Sequence, residues 1–261
     1  MSDCIFTQQA DGVLQIEIRR PDKKNALTSP MYTALAAAVS AGQADPAVRV
    51  LLLRGLPDVF SAGNDMQDFL QASAAAAPVA PEDSQALAFM RALSQLDKPV
   101  LAAVNGLAIG VGTTLLLHCD QVYASASARF QLPFVSLGLC PEFGASLLLA
   151  QRAGYQRAAR LLMFAEPFDA AIARECGLVS EVLEDGGADS RALARAYHLA
   201  KLPPAALRLT KQLLKQSDGP ALQARLVEEM SCLVERARSP EAKEAFTAFV
   251  QKRPPDFSRF H

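Results

Sequence analysis

Glu142 is the residue best placed by its neighbours to act as an acid or a base. Between residues 130 and 151 it is the only charged residue, within the segment LGLCPEFGASLLLA. Apolar neighbours raise the pKa of a carboxylate toward the range where it exchanges protons at neutral pH. The spacing also fits a second interpretation, in which Glu142 lies at the surface in a first helical turn and compensates the helix dipole. Spacing alone leaves both interpretations open.

Two glycine-containing segments could present backbone N–H groups to an anion. The first is FSAGNDM, which contains Ser61, Ala62, Gly63, Asn64, Asp65 and Met66. The second, residues 98–114, runs from a predicted strand through Gly110, Val111 and Gly112 into a predicted helix, whose free amides would stabilise an oxyanion. Both have plainer interpretations. The first could be a turn with an Asx-type helix cap, and the glycines of the second could only permit close packing of helix on strand.

The histidines and cysteines predict neither a nucleophile triad nor a metal site. His118, Cys119 and Asp120 are consecutive, and consecutive residues of a helix point to different faces, so they cannot meet as a triad. The five cysteines are widely spaced and never in a C-x-x-C pair, which argues against both a zinc site and a disulfide framework. We therefore expect no metal, a reducing compartment and a cytoplasmic protein.

Composition argues against highly charged partners. The chain has 261 residues, 51% of them hydrophobic, and its 26 basic residues nearly balance 27 acidic ones. No run of like charge forms a basic patch, so we expect neither nucleic acid nor an anionic membrane as a partner. Residues 99–117 carry no charge, but their glycines and an Asn-Gly pair are typical of strand, turn and helix start and not of a membrane span.

Short apolar strands alternate with helical patterns, which predicts an α/β fold. Asp11-Gly12 predicts a hairpin between two strands at the start of the chain. Further strands are predicted at residues 48–53, 100–104, 121–124 and 178–183, and helices at residues 30–44, 83–96, from 113 onward, and 145–164. Residues 72–81, rich in Ala and Pro, are expected to be a surface loop or a helix end.

The last part of the chain is predicted to be helical. After residue 189 the strand patterns stop. Pro203-Pro204 opens one amphipathic helix, residues 222–233 mark a second, and Ser239-Pro240 caps a third. The apolar faces of these helices need partners, and we expect them to bury against the core or, in an oligomer, against a neighbouring subunit.

Six segments, in this order, resemble the crotonase superfamily, the enoyl-CoA hydratase/isomerase fold. They are RPDKKNAL (residues 20–27), FSAGND, KPVLAAVNGLAIGVG, CDQVYASASARFQLPFVSLGLCPEFG, ARECGLVSEV and KLPPAALRLTK (residues 201–211). The resemblance implies a crotonase-like spiral of repeated β-β-α units over residues 1–195, with an acyl-CoA site. It also implies a helical C-terminal region, residues 196–261, that builds a homotrimer or hexamer.

The resemblance further implies an acyl-CoA thioester substrate, with coenzyme A as part of the substrate and no permanently bound cofactor. The thioester oxygen would lie between the backbone N–H groups of Asn64 and Val111. Residues 61–66 and Gly110 would contact the ligand, and Lys23 and Lys24 would meet the phosphates of coenzyme A. Residues 72–93 would shape the acyl tunnel.

The resemblance also bears on the reaction. Hydratases of this superfamily carry two glutamates, and the matching positions here hold Thr114 and Phe134, neither of which moves a proton from water. Glu142 in CPEFG resembles the glutamate of the monofunctional isomerases that convert 3-enoyl-CoA to 2-trans-enoyl-CoA. We therefore expect that isomerase, with Glu142 as its single base. The alternatives are a hydratase or another crotonase-type enzyme that uses Glu142, and a non-catalytic acyl-CoA-binding protein, which would most simply lose the acid.

Overall fold

Two β-sheets form the framework of the computed structural model, which describes residues 3–74, 80–216 and 219–260. The larger sheet contains, in spatial order, β1 (Ile5–Ala10), β2 (Val13–Ile18), β3 (Val50–Arg54), β5 (Val100–Val104), β7 (Gln121–Ser125) and β10 (Glu181–Leu183). The smaller contains β4 (Val59–Ser61), β6 (Leu107–Ile109), β8 (Arg129–Gln131) and β9 (Phe168–Asp169). All neighbouring strands are parallel except the pairs β1–β2 and β8–β9.

The chain forms a spiral, because successive turns add one strand to each sheet. β3 is followed by β4, β5 by β6, and β7 by β8. The helices are α1 (Ser29–Ala44), α2 (Met66–Ala74), α3 (Gln85–Ser94), α4 (Val111–Thr114), α5 (Ala145–Ala153), α6 (Tyr155–Met163), α7 (Ala170–Glu175), α8 (Gly187–Ala200), α9 (Pro204–Lys215), α10 (Gly219–Ala237) and α11 (Pro240–Val250). The predicted α/β spiral of repeated β-β-α units with a helical C-terminal region is confirmed.

Strand β5 and the first four residues of β3 are apolar because both faces of the larger sheet are covered there. Side chains alternate between the faces of a strand. Leu51 and Leu53 therefore join a core with residues of α1 and α3, whereas Leu52 joins a second cluster with Ala192 and Ala196 of α8. Parallel strands buried on both faces in this way hold the loops at their ends in fixed positions.

Two helical predictions need correction. The helix expected at residues 145–164 is two helices, α5 and α6, because Gly154 adopts φ +79° and ends the first. Helix α8 was not expected, and the proposed boundary between residues 195 and 196 falls within it. The division into a core and a C-terminal region stays a prediction.

The region expected to line the acyl tunnel is described only in part. Residues 72–74 belong to α2 and residue 80 precedes a 3-10 turn, Pro81–Asp83. Residues 75–79 lie outside the described residues, and their place in a surface loop and an acyl tunnel stays a prediction. The charge-free stretch 99–117 folds as β5, β6, α4 and most of a 3-10 turn, Leu115–His118. No helix of the described residues is both long and apolar enough to cross a membrane.

The C-terminal helices use their apolar faces differently. α10 buries Leu226 and Met230 against the core of its own chain. α9 instead leaves Leu209, Leu213 and Leu214 more than half exposed. The alternative of packing on the same chain therefore holds for α10, and α9 retains an apolar surface.

Candidate active site

The two glycine segments meet through their backbones. Gly63 has φ +90°, and a Cβ on it would lie 2.8 Å from the carbonyl oxygen of Ile109. Gly110 has φ +55°, and a Cβ on it would lie 3.9 Å from the Cα of Gly63. Only glycine adopts such φ values readily while leaving room for so close an approach. The residues that follow these glycines, Asn64 and Val111, are thereby brought together.

In the part of the chain that the structure describes, the backbone N–H groups of Asn64 and Val111 have no hydrogen-bond acceptor. Leu27 forms a parallel bridge with Asn64 by bonding to the residues on either side of it. Leu27 N donates to Gly63 O, and Asp65 N donates to Leu27 O, each over 2.8 Å. The N–H of Asn64 itself therefore points away from Leu27. No backbone carbonyl in the described ranges accepts a hydrogen bond from the N–H of either Asn64 or Val111. Two unpaired N–H groups on adjoining loops can stabilise a developing oxyanion.

The plainer interpretations of the two segments hold for some of their residues. Gly112 permits packing, because a Cβ there would lie 2.7 Å from the carbonyl oxygen of Ser61. The Ser61 hydroxyl is buried, donates to Asn25 O and accepts from Gly63 N, so it shapes the loop from beneath. Asp65 caps α2, since its Oδ1 accepts from the backbone N–H groups of residues 67 and 68.

The segment RPDKKNAL braces these loops. Asn25 is buried at φ +57°, and its Nδ2 donates to the carbonyls of residues 18, 59 and 60. Nη1 of Arg20 donates to Oδ2 of Asp65 over 2.8 Å. Lys23 and Lys24 are exposed at the turn between them. Their expected contact with phosphate groups stays a prediction.

Glu142 lies in a turn before α5 and is 2% exposed, so the interpretation that places it at the surface is wrong. Burial raises the pKa of its carboxyl to about 8, and the charge of Glu229 acts in the same direction, while a hydrogen bond from the Asn64 side chain opposes them. The raised pKa agrees with the sequence prediction. Within the described residues, Oε1 of Glu142 has no hydrogen-bond partner.

Tyr32 of α1 orients the amide of Asn64. Its hydroxyl donates to Oδ1 of Asn64, and burial, followed by the charges of Glu142 and Asp68, raises the pKa of Tyr32 well above 10, so the hydroxyl keeps its proton. The hydrogen bond between Asn64 and Glu142 lowers the pKa of Glu142, so it favours the charged carboxylate, which can only accept. Nδ2 of Asn64 is therefore the donor.

The turn that carries Glu142 is strained and held from two sides. Phe143 is fully buried at φ +61°, a value that a bulky residue adopts only where its surroundings impose it. Nε2 of His118 lies 2.7 Å from the carbonyl oxygen of Phe143, and the two rings stack at 4.1 Å. Burial lowers the pKa of His118 to about 3, so the neutral ring donates this bond from Nε2. On the other side, Glu229 of α10 accepts from Gly144 N over 2.6 Å.

A cavity of about 150 Å³ opens beside these groups. Its lining includes Tyr32, Asn64, Asp65, Asp68, Phe69, Glu142, Met230, Leu233 and Arg238. The other carboxylates there are engaged, Asp65 with Arg20 and Asp68 with the backbone N–H and hydroxyl of Ser29. Thr114 and Phe134 are buried and are not among the lining residues.

Three residues around Glu142 were not found from the sequence. Tyr32, His118 and Glu229 lie on elements far apart in the chain, and a single sequence carries no signal that brings them together. For residues 118–120 we predicted from the sequence that they do not form a catalytic triad, and the structure confirms this. The side chain of Asp120 pairs with Lys211 and Sγ of Cys119 contacts Leu115 O, whereas His118 faces Phe143.

Comparisons with known proteins identify the family of the chain. Residues 8–259 match the family described as enoyl-CoA hydratase/isomerase. The chain is 35% identical over 257 residues to 2,3-dehydroadipyl-CoA hydratase of Escherichia coli K12, covering 98% of this chain and 99% of that protein. It is 34% identical over 253 residues to enoyl-CoA delta isomerase 2 of Rattus norvegicus, covering 96% of this chain and 64% of that protein.

Solved structures share the fold. The structure of Pseudomonas aeruginosa OdaA superposes with a TM-score of 0.90 at 43% identity, covering 95% of this chain and 99% of that one. The relatives named here include a hydratase and an isomerase, so they identify the family and not one reaction. The chain belongs to the enoyl-CoA hydratase/isomerase family of the crotonase superfamily and is an enzyme with the acyl-CoA hydratase or isomerase chemistry of that family.

Proposed function

We propose that the protein is an isomerase that converts 3-enoyl-CoA to 2-trans-enoyl-CoA. One observation carries the proposal: Glu142, a buried carboxyl with a pKa of about 8, lines the cavity together with Asn64, and the backbone N–H groups of Asn64 and Val111 have no partner among the described residues. By the resemblance to the hydratases of the superfamily, the positions of their two glutamates correspond to Thr114 and Phe134 of this chain.

One carboxylate is sufficient for a double-bond shift. Glu142 removes a proton from C2 of the substrate and returns it to C4 on the same face, so no water molecule enters the reaction. A carboxyl with a pKa of about 8 is a stronger base than an ordinary glutamate, and a general base works best when its pKa lies near the working pH. Asn64 Nδ2 holds the carboxylate in place while it accepts and returns the proton.

The intermediate is the enolate of the thioester, with its negative charge on the carbonyl oxygen. The N–H groups of Asn64 and Val111 would receive that oxygen. Each such donor contributes about 10²–10³-fold to the rate in comparable sites. Because both amides are fixed by the contact between Gly63 and Gly110, they need no rearrangement when the charge develops.

Substrate binding completes the proposal. Coenzyme A binds as part of the substrate. Lys23 and Lys24, which are exposed in the turn after β2, would contact its phosphates. No permanently bound cofactor is needed, since the proton never leaves the substrate and Glu142. The working form would be a homotrimer or hexamer.

Hydration is the second candidate, favoured by the 35% identity with 2,3-dehydroadipyl-CoA hydratase of Escherichia coli. Hydration requires a water molecule activated by one group and a proton delivered to carbon by another. Asp65 and Asp68 line the cavity but accept hydrogen bonds from Arg20 and Ser29. They are therefore poor partners for water. A non-catalytic acyl-CoA-binding protein would have no use for a buried glutamate.

The test is an assay of the purified chain with 3-hexenoyl-CoA, 3-decenoyl-CoA and crotonyl-CoA. We expect 2-trans-enoyl-CoA from a 3-enoyl substrate and little hydration of crotonyl-CoA. Glu142→Gln should lower the rate by about 10²–10⁴-fold while acyl-CoA binding, measured by calorimetry, survives. The matched control is Glu235→Gln, an exposed glutamate of α10. Faster hydration than isomerisation, or a Glu142→Gln variant with wild-type rate, would refute the proposal.

A further inference from the structure

Helix α10 contacts the segment that carries Glu142 at three points of the same chain. Nε of Arg236 donates to Gly138 O over 3.2 Å, and Sγ of Cys140 lies 3.7 Å from Glu229 O. At the third point, the side chain of Glu229 accepts a hydrogen bond from Gly144 N, two residues after Glu142. The position of Glu142 therefore depends on a helix that follows it by more than seventy residues.

Glu229 is buried, with 6% of its surface exposed, yet three donors converge on its carboxylate. Gly144 N lies 2.6 Å from Oε2, and Ser146 N and Oγ lie 3.0 and 2.5 Å from Oε1. Three donors and no acceptor are the surroundings of a charged carboxylate. Burying such a group is costly, and a neutral cap would satisfy the amides at the start of α5 at a smaller cost.

We infer that Glu229 is a positioning residue for Glu142, fixing the turn at residues 142–146 and placing a second negative charge beside the catalytic carboxylate. This inference rests on the proposed function, in which Glu142 is the base. It also gives α10 a role in the site of its own subunit.

The two roles act together on the proton affinity of Glu142. A like charge disfavours ionisation of its neighbour, and Glu229 raises the pKa of Glu142 in this way, second only to burial. The pKa of Glu229 itself is raised, because burial outweighs the hydrogen bonds from Ser146 and Gly144, which lower it.

The other groups facing the pair add little positive charge. Tyr32 from α1 keeps its proton, burial raises the pKa of Cys140 to about 12, and His118 is neutral. Asp68 and the exposed Arg238 line the same cavity, and Arg225, on the same helix as Glu229, favours the charged form of Glu229. The Glu229 charge is therefore not cancelled by a buried cation among the described residues.

The test compares Glu229→Gln with Glu235→Gln in the full-length protein. Without the charge at residue 229, the pKa of Glu142 should fall by about one unit. In the pH profile of kcat/KM, the low-pH limb is the range in which the rate rises as Glu142 loses its proton. This limb should then move to lower pH by the same amount. The plateau kcat should fall about 10- to 100-fold with KM little changed, since a small displacement of a base costs this much. A residue that only stabilised the fold would leave the limb in place.

A second measurement and a second variant make the test independent of activity and of the folding of one variant. The pKa of Glu142 is read directly by carbon NMR of glutamate-labelled protein, with Glu142→Gln identifying the signal. Ser146→Ala removes one donor to Glu229 and keeps its charge, so kcat should fall about fivefold without a downward shift of the limb.

The outcomes separate this inference from the proposed function. An unchanged pKa of Glu142 in the Glu229→Gln variant, or wild-type kcat in both that variant and Ser146→Ala, would overturn the role of Glu229 and leave an active isomerase intact. A wild-type chain without isomerase activity would refute the proposed function, and the NMR titration would still decide whether Glu229 acts on Glu142.

Discussion

At the scale of single residues, the amide of Asn64 links an aromatic hydroxyl to the carboxylate that faces the cavity. Tyr32 donates to its Oδ1, which leaves Nδ2 for Glu142. Without Tyr32 the amide could turn over and present its oxygen to a carboxylate, which repels it. The chain thus keeps one of two nearly equal orientations of Asn64 by means of a buried tyrosine.

This arrangement predicts the effect of Tyr32→Phe. The ring should keep its packing against Phe89, whose centroid is 6.0 Å away, so the fold should survive. Loss of one hydrogen bond that orients Asn64 should lower kcat about five- to tenfold, with KM nearly unchanged. Steady-state kinetics check this, with Tyr155→Phe at a 73% exposed position as the control. Equal kinetics for the two variants would contradict the role of Tyr32.

Sequence reasoning reached Glu142 and its raised pKa because the signal is local. A lone charge within twenty-two apolar or neutral residues can be read directly. Tyr32, His118 and Glu229 could not be found in this way, since each acts through a contact between elements far apart in the chain. The two interpretations of Glu142, buried or at the surface, likewise depended on whether α10 covers the turn.

At the scale of elements, the contact between the two glycine loops sets the spacing of the amides. Gly63→Ala should force the loops apart, because the new Cβ would lie 2.8 Å from Ile109 O and φ +90° is strained for alanine. We expect kcat to fall about 10²-fold, the effect of losing one oxyanion donor, in assays with a 3-enoyl-CoA.

The control for this change is Gly219→Ala, where no described atom lies within 4 Å of the new Cβ. Thermal unfolding of both variants separates loss of activity from loss of fold. A Gly63→Ala variant with wild-type kcat would show that the spacing of Asn64 and Val111 does not matter for the reaction.

Elements with a strong periodic pattern were predicted well, and the failures have physical causes. β5 was expected at residues 100–104 and lies there, because strands buried on both faces read as apolar runs. α8 was missed although Ala188, Ala192 and Ala196 recur every four residues. Alanine is small enough to pack closely on the sheet, but it is only weakly hydrophobic. A stripe of alanines therefore differs little from its polar neighbours in the sequence pattern. The break between α5 and α6 depended on the φ of one glycine, Gly154.

At the scale of the whole molecule, the buried carboxyl of Glu142 couples stability to pH. Its pKa is raised from 4.5 to about 8, so its protonated form contributes stability below pH 4.5 that is lost as pH rises toward 8. The loss is at most about 1.4 kcal/mol for each pH unit in this window. Glu142→Gln removes the titrating group and should therefore unfold at a higher temperature than wild type at pH 8.

The difference between Glu142→Gln and wild type should shrink toward pH 5, where Glu142 is protonated in the folded protein. Calorimetric melting at several pH values measures it, with the exposed Glu235→Gln as the control. A Glu142→Gln variant less stable than wild type at pH 8 would mean that Glu142 is ionised and stabilised by its surroundings, contrary to its raised pKa.

The exposed face of α9 predicts self-association. Leu209, Leu213 and Leu214 are 56%, 63% and 76% exposed, and contiguous exposed apolar groups mark interaction surfaces. We expect light scattering to give three or six times the chain mass of 27.9 kDa. Leu214→Glu should shift the population toward smaller species, because it places a charge on the apolar face. A monomer at micromolar concentration would refute the prediction.

The near-complete enclosure of Glu142, which is 2% exposed, has a consequence for isotopes. A proton taken from C2 by a carboxylate cut off from water has few hydrogens with which to exchange before it is delivered to C4. A substrate deuterated at C2 should therefore give a product that carries much of its label at C4, even in ordinary water. In heavy water an unlabelled substrate should gain little deuterium there. Mass spectrometry of the product would thus report how often the site opens during a single turnover.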